Sequence, residues 1–319
     1  MTVAQPHGNP DSLTIDGAPM PIVLPRPGDR FIHHPFTLDA KRRILAHIDR
    51  GLHSGGADMM AMFGPSGSGK TEIIRHVMSL PQFAPTRTAQ PIVYVETANA
   101  ETPKSLAISI LDAMGDYKPD RGTQAQIQRR AVGLLQQKQA RLLIIDEAQL
   151  LSTDKYSAGD FFRQFTNQPI VPVLIVGLPS IAAMIQSNAQ AGRRASPSIK
   201  LGAFDYKRKD ERMMFLGVLK ALYADLPPPF NSLPEDFEGA AKRYYFASGG
   251  LIARITQLLR VSLDIANEQS ATALTFDILA EAYDLIAELF TMPPENPFRL
   301  NFLPAVLKKA ADTIGMRTS

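Results

Sequence analysis

The chain has 319 residues, 45% hydrophobic and 20% charged, an ordinary globular composition with room for about two domains. It has no cysteine, which excludes disulfides and thiolate metal sites and fits a reducing, cytoplasmic setting. A net charge of +3 permits nucleic acid as a partner without arguing for it. Residues 1–35 read as an extended Pro- and Gly-rich arm without a leader pattern, partly disordered until something binds it. From Thr37, a candidate helix cap, Ile44, Leu45, Ile48 and Leu52 share a helical face, and Gly51, Gly55 and Gly56 are expected to end that helix. His33, His34, His53 and His76 lack metal-ligand spacing, so no zinc site is expected.

The apolar run Met59 to Phe63 leads into Gly64-Pro65-Ser66-Gly67-Ser68-Gly69-Lys70-Thr71, then an apolar helix. Strand, glycine-rich turn and helix in this order, with G-x-x-x-x-G-K-T spacing, form the phosphate-binding P-loop pattern. Gly67 and Gly69 let the backbone curl its N–H groups around an anion, and the helix adds its positive dipole end. Lys70 is placed to reach the β- and γ-phosphates of ATP, and the Thr71 hydroxyl to ligate Mg²⁺.

Pro91 to Glu96 reads as a second buried strand. A helix from about Pro103 follows, with Leu106, Ile110, Leu111 and Met114 in register and Gly115 as its stop. A polar loop, Asp116 to Thr123, precedes a helix carrying Ile127, Ala131, Leu134 and Leu135. Leu142-Leu143-Ile144-Ile145 then runs into Asp146-Glu147, a buried parallel strand with acids at the end where α/β sheets bind ligands. Asp146 suits the Mg²⁺ shell, and Glu147 suits the group that polarises an attacking water; an exposed Asp-Glu turn is the plainer alternative. Pro172 to Val176 is a fourth strand, a helix is expected from Ser180 to Gln190, and Ser198 to Leu201 is a candidate fifth strand. The low-charge stretch Pro169 to Ile185 is too broken by Pro172, Gly177 and Pro179 to span a membrane.

Beyond Asp205 helical stripes replace strands: Met213 to Leu226, Glu235 to Ala247, Leu251 to Ala266, and Phe276 to Phe290 capped by Thr275. The expected fold class is α/β, a doubly wound parallel five-stranded sheet followed by an all-helical lid. The boundaries are 1–35 for the arm, 36–205 for the P-loop core, 206–291 for the lid and 292–319 for a tail with Lys308 and Lys309 in a short helix.

This arrangement resembles the AAA+ ATPases. The resemblance implies an arginine finger at Arg193 or Arg194, completing a neighbouring subunit's site, and a sensor-2 arginine at Arg254 that touches the γ-phosphate. It also implies that the segment Phe31 to Phe36 packs on adenine. One position departs from the pattern. Gly177-Leu178 stands at the end of strand four, where a polar sensor-1 residue is usual, and Ser180 is the nearest hydroxyl. That departure suggests slow, switch-like hydrolysis.

Within that superfamily the chain resembles the TniB/TnsC transposition regulators. The carrying residues are the P-loop, Glu96-Thr97 through Glu101-Thr102-Pro103-Lys104, and Leu143-Ile144-Ile145-Asp146-Glu147-Ala148-Gln149. The resemblance implies an ATP-dependent homo-oligomer, a ring or helical filament on double-stranded DNA, that recruits a DDE transposase and works with a target selector. It places DNA contacts at Lys104 and around Thr123, and Lys118, Arg121, Arg129 and Arg130 are nearby basic candidates, each of which also reads as a solvated charge. A replication-type initiator or helicase loader, and a nucleotide-gated scaffold that never touches DNA, are the alternatives.

Overall fold

The computed structural model describes residues 14–15, 18–19, 30–54, 59–97, 102–151, 171–182, 195–287 and 295–300. The strands β1 (Met59–Phe63), β2 (Ile92–Glu96), β3 (Leu142–Asp146), β4 (Val173–Gly177) and β5 (Ala195–Lys200) pair in parallel in the order β2-β3-β4-β1-β5. Alternate residues along each strand face opposite layers. Met59 and Ala61, Leu143 and Ile145, and Val173 and Ile175 pack under α3 (Pro103–Ala113) and α4 (Gln124–Gln137). Met60 and Met62, Leu142 and Ile144, and Leu174 and Val176 pack under α1 (Pro35–Ser54) and α2 (Lys70–Met78). Both faces are covered, so the strands are continuous apolar runs.

Three local outcomes differ from the sequence expectations. Helix α1 starts at Pro35, and Thr37 acts from inside its first turn: its hydroxyl accepts the His34 N–H at 3.0 Å and donates to His34 O. The same helix runs through Gly51 to Ser54. Gly51 lies so close to Pro172 that a Cβ there would overlap the proline ring, so the glycine permits contact with the residue just ahead of β4 rather than ending the helix. Strand β5 is longer than expected and sits at the sheet edge with a register shift between Met60 and Met62. Its Pro197 lies in that irregular stretch, where a missing N–H costs no ladder bond. Arg43 of α1 donates to the Pro197 and Ser198 carbonyls, both at 2.8 Å.

The lid helices α5 (Lys209–Ala224), α6 (Phe237–Ser248), α7 (Ile252–Glu268) and α8 (Phe276–Ala287) enclose a second core. In it the buried Tyr223 and Tyr244 hydroxyls pair at 2.8 Å, each satisfying the other. Phe36, from the entry to α1, stacks on Phe204 and joins this core. Among the described residues no helix is long and apolar enough to cross a membrane.

Candidate nucleotide site

Every strand of the sheet delivers its C-terminal end to one edge, and the sequence-predicted phosphate residues meet there. The Phe63–Gly64 peptide is tied on both sides: the Gly64 N–H donates to Gly177 O at 3.2 Å, and Leu201 N–H donates to Phe63 O at 2.8 Å. Gly67 (φ 79°) and Gly69 (φ 88°) take the left-handed backbone that the curl requires. The Lys70 ammonium is buried and donates to the Gly64 and Pro65 carbonyls at 2.9 Å each, folding back onto its own loop. Burial lowers the pKa of Lys70, while the charges of Glu147 and Asp146 raise it, which places both acids within electrostatic reach. The Ser68 hydroxyl is buried with no hydrogen-bond partner. That unmet group inside an anion-shaped loop fits a phosphate.

Asp146 is 2% exposed. Its Oδ1 accepts the Glu147 N–H at 2.8 Å and its Oδ2 accepts the Tyr94 hydroxyl at 3.0 Å. Burial, and then the adjacent Asp146 charge, push the Tyr94 phenol well up, so it stays a donor. Thr97, just past β2, donates its hydroxyl toward Asp146 O at 3.0 Å and Glu147 O at 2.7 Å. Glu147 itself sits at φ 55°, uncommon for a non-glycine residue, and such strain clusters at functional sites. The sequence alone assigns no site role to Thr97, Tyr94 or Gln149; the β2–β3 register, with Glu96 opposite Asp146, brings the first two here.

Beside the P-loop lies a cleft of about 560 Å³ between core and lid, within the size range of small-molecule sites. Phe31, Ile32 and His34 line it from the segment before α1, Gly67 to Gly69 from the loop, and Ala253, Thr256, Gln257 and Arg260 from α7. Phe36 turns away to Phe204. Arg254 is on α7 but not on that cleft-lining face; its Nη1 is buried without a hydrogen-bond partner. Arg193 and Arg194 lie outside the described residues. Ser180, exposed, opens a helical turn beyond β4.

His34 is 8% exposed, packed against Phe36 and Phe204, and burial lowers its pKa to about 4. An unfolded imidazole titrates near 6.5, so between those values the unfolded chain takes up the proton first. The stability that neutral His34 supplies is complete above pH 6.5 and is lost as pH falls toward 4, by about 3 kcal/mol. Urea unfolding across that window should show a steeper decline for the native chain than for His34→Gln; equal slopes would refute it.

The basic candidates occupy two places. Helices α3 and α4 both end beside Gln90, which donates to Ala113 O at 3.1 Å through its side chain and to Lys138 O at 2.8 Å through its backbone. The two helices therefore run in the same sense, with their N-termini toward the nucleotide edge. Thr102 and Thr123 cap them, each in a capping box, with Lys104 in the first turn of α3. Arg130 is engaged locally. It donates to the carbonyls of Lys118 (2.7 Å), Pro119 (2.9 Å) and Arg121 (2.9 Å) and pairs with Asp116 at 3.0 Å, fastening loop 116–123. Lys118, Arg121 and Arg129 are exposed.

Residues 53–185 match the family profile described as an AAA domain. This segment is therefore similar to AAA domains. Comparison with curated proteins gives no match. Among solved structures, the chain resembles the Aeropyrum pernix ORC2 protein in its ADPNP–ADP complexes, with TM-score 0.62, 16% identity, and 82% of this chain and 69% of that chain covered. The Aeropyrum pernix ORC1 protein in complex with DNA gives 0.60 and 16%, covering 89% and 83%. CDC6P from Pyrobaculum aerophilum gives 0.58 and 14%, covering 91% and 88%. At these identities the likeness establishes the AAA+ P-loop fold around the AAA domain.

Proposed function

We propose that this AAA protein is an ATPase whose nucleotide state governs its assembly on double-stranded DNA. The observation that carries the ATPase reading is the convergence of buried Lys70 and Asp146 with half-buried Glu147 at one sheet edge. ATP with Mg²⁺ suits these residues: Gly64 to Thr71 would hold the phosphates, and Thr71 and Asp146 the metal, which supplies charge neutralisation when bound. Lys70 would exchange two loop carbonyls for phosphate oxygens. Glu147, fixed through its backbone by Thr97 and Asp146, takes the proton of the attacking water. Arg193, Arg194 and Arg254 are candidates for charge stabilisation in the transition state.

Support for DNA comes from the two capped helix N-termini pointing to one side, with Lys104 in the first turn of one of them, and from the exposed Lys118, Arg121 and Arg129 on the loop and helix that follow. A lysine in a helix's first turn opposes the dipole, and a phosphate partner reverses that penalty. The solved ORC1 structure of the same fold holds DNA. That likeness favours a replication-type initiator or loader. The transposase-recruiting role is the second reading, carried by the Glu101-Thr102-Pro103-Lys104 segment, and the helicase or transposase partner distinguishes the two.

The test is duplex-DNA binding with a slowly hydrolysed ATP analogue across a salt series, with electron microscopy of the assemblies. Nucleotide-dependent oligomers on DNA, absent in Lys70→Ala, are expected. Lys104→Ala should lower the slope of log affinity against log salt by about one, with DNA-free ATPase unchanged. Nucleotide-dependent oligomers that ignore DNA would instead indicate a scaffold.

A further inference from the structure

Gln149 lies on the short turn Ala148–Leu151 that follows Glu147. Its side-chain amide is held at both ends. Oε1 accepts the Leu178 N–H at 3.0 Å, and since a backbone N–H only donates, this bond identifies the oxygen end of the amide. Nε2 is thereby turned onto Glu147 and donates to its Oε2. One planar group thus joins the acidic end of β3 to the first residue after β4. It also takes up the room there. A Cβ at Gly177 would overlap Gln149 Oε1 and would lie 3.1 Å from Ile181 Cγ2 and 3.3 Å from Ala148 N.

We propose that Gln149 is a positioning residue for Glu147, supplying from the turn after β3 the polar group that the Gly177-Leu178 end of β4 lacks. The proposal rests on reading Glu147 as the acceptor of the water's proton. The Glu147 backbone is pinned by Thr97 and Asp146, which leaves its side-chain torsions as the remaining freedom. The amide restricts those torsions by engaging Oε2, so the proton falls to Oε1. A displacement of the segment after β4 passes to the carboxylate through the same amide, because Leu178 N–H holds its other end.

The experiment is steady-state ATP hydrolysis and analogue binding for Gln149→Ala, Gly177→Ala, their combination, and Gln149→Glu, beside Glu147→Gln. Gln149→Ala should lower kcat about 30-fold with analogue affinity within about twofold. Gly177→Ala should act alike, because its methyl group displaces the amide. The double variant should be no slower than Gln149→Ala alone, since the displaced group is gone. Gln149→Glu keeps the length, removes the donor and sets a second carboxylate against Glu147, and should be at least as slow as Gln149→Ala. Multiplied losses in the double variant, or wild-type turnover by Gln149→Ala while Glu147→Gln is inactive, would overturn the positioning role alone. Full turnover by Glu147→Gln would overturn the reading of Glu147 and this proposal with it.

Discussion

Glu147→Gln is expected to hold nucleotide as tightly as the native chain and to turn it over about 1,000-fold more slowly. The substitution preserves shape. A glutamine at 147 keeps the length of the side chain and the backbone bonds to Thr97 Oγ1 and Asp146 Oδ1, so the phosphate loop and Asp146 are undisturbed. It removes the group that accepts the water's proton. Steady-state phosphate release and equilibrium binding of a fluorescent nucleotide separate the two effects. Retained hydrolysis would take Glu147 out of the chemistry, and lost binding would make it a structural residue of the loop.

The second large effect is expected at the seam between core and lid. Gly250 has φ 78°, and its carbonyl accepts the Phe204 N–H at 3.0 Å. A Cβ there would overlap Phe204 O, lie 3.0 Å from Phe204 N and press on the Tyr245 ring at 3.1 Å. Gly250→Ala combines left-handed backbone strain with a backbone clash, and should cost about 3–4 kcal/mol, on the order of 10 °C in melting temperature. It should weaken nucleotide binding as well, because α7 begins two residues later and its Ala253–Gln257–Arg260 face forms one wall of the cleft. Gly217→Ala is the control. That glycine is exposed within α5 with nothing near its missing Cβ, so alanine should stabilise by about 0.5–1 kcal/mol. A Gly250→Ala chain that melts with the native protein would show that the seam yields.

Why some of this was readable from the sequence and some was not has a physical basis. Strands β1 to β4 are buried on both faces, so each is an unbroken apolar run ending at a turn, and such runs announce themselves. Edge strand β5, with its serines and Pro197, has no such signature, and only Ile199, with Leu201 just past the strand, is apolar enough to notice. The same contrast holds at the site. Gly64 to Thr71 and Asp146-Glu147 are contiguous because a loop or a strand end must supply them together. Tyr94 and Thr97 reach the acids through strand register, a relation between distant segments that no local pattern encodes, and Gln149, though only two residues from Glu147, is aimed at it by a turn and by the Leu178 N–H from the far side of the edge. Thr37 misled because a hydroxyl ahead of an apolar stripe suits two places: at the cap it accepts an N–H from the first turn, and inside the first turn, as here, it accepts the N–H of the residue ahead of the helix, His34.

The fastening of loop 116–123 by Arg130 bears on how quickly a partner can be engaged. A loop that must freeze on contact loses conformational entropy at the encounter and slows the productive step. Here that loss is incurred once, during folding, through three carbonyl bonds and the Asp116 pair. Lys118 and Arg121 are therefore carried on a backbone already in its final form. Capture of a polyanion by this face would be governed by long-range attraction and ionic strength rather than by rearrangement of the loop.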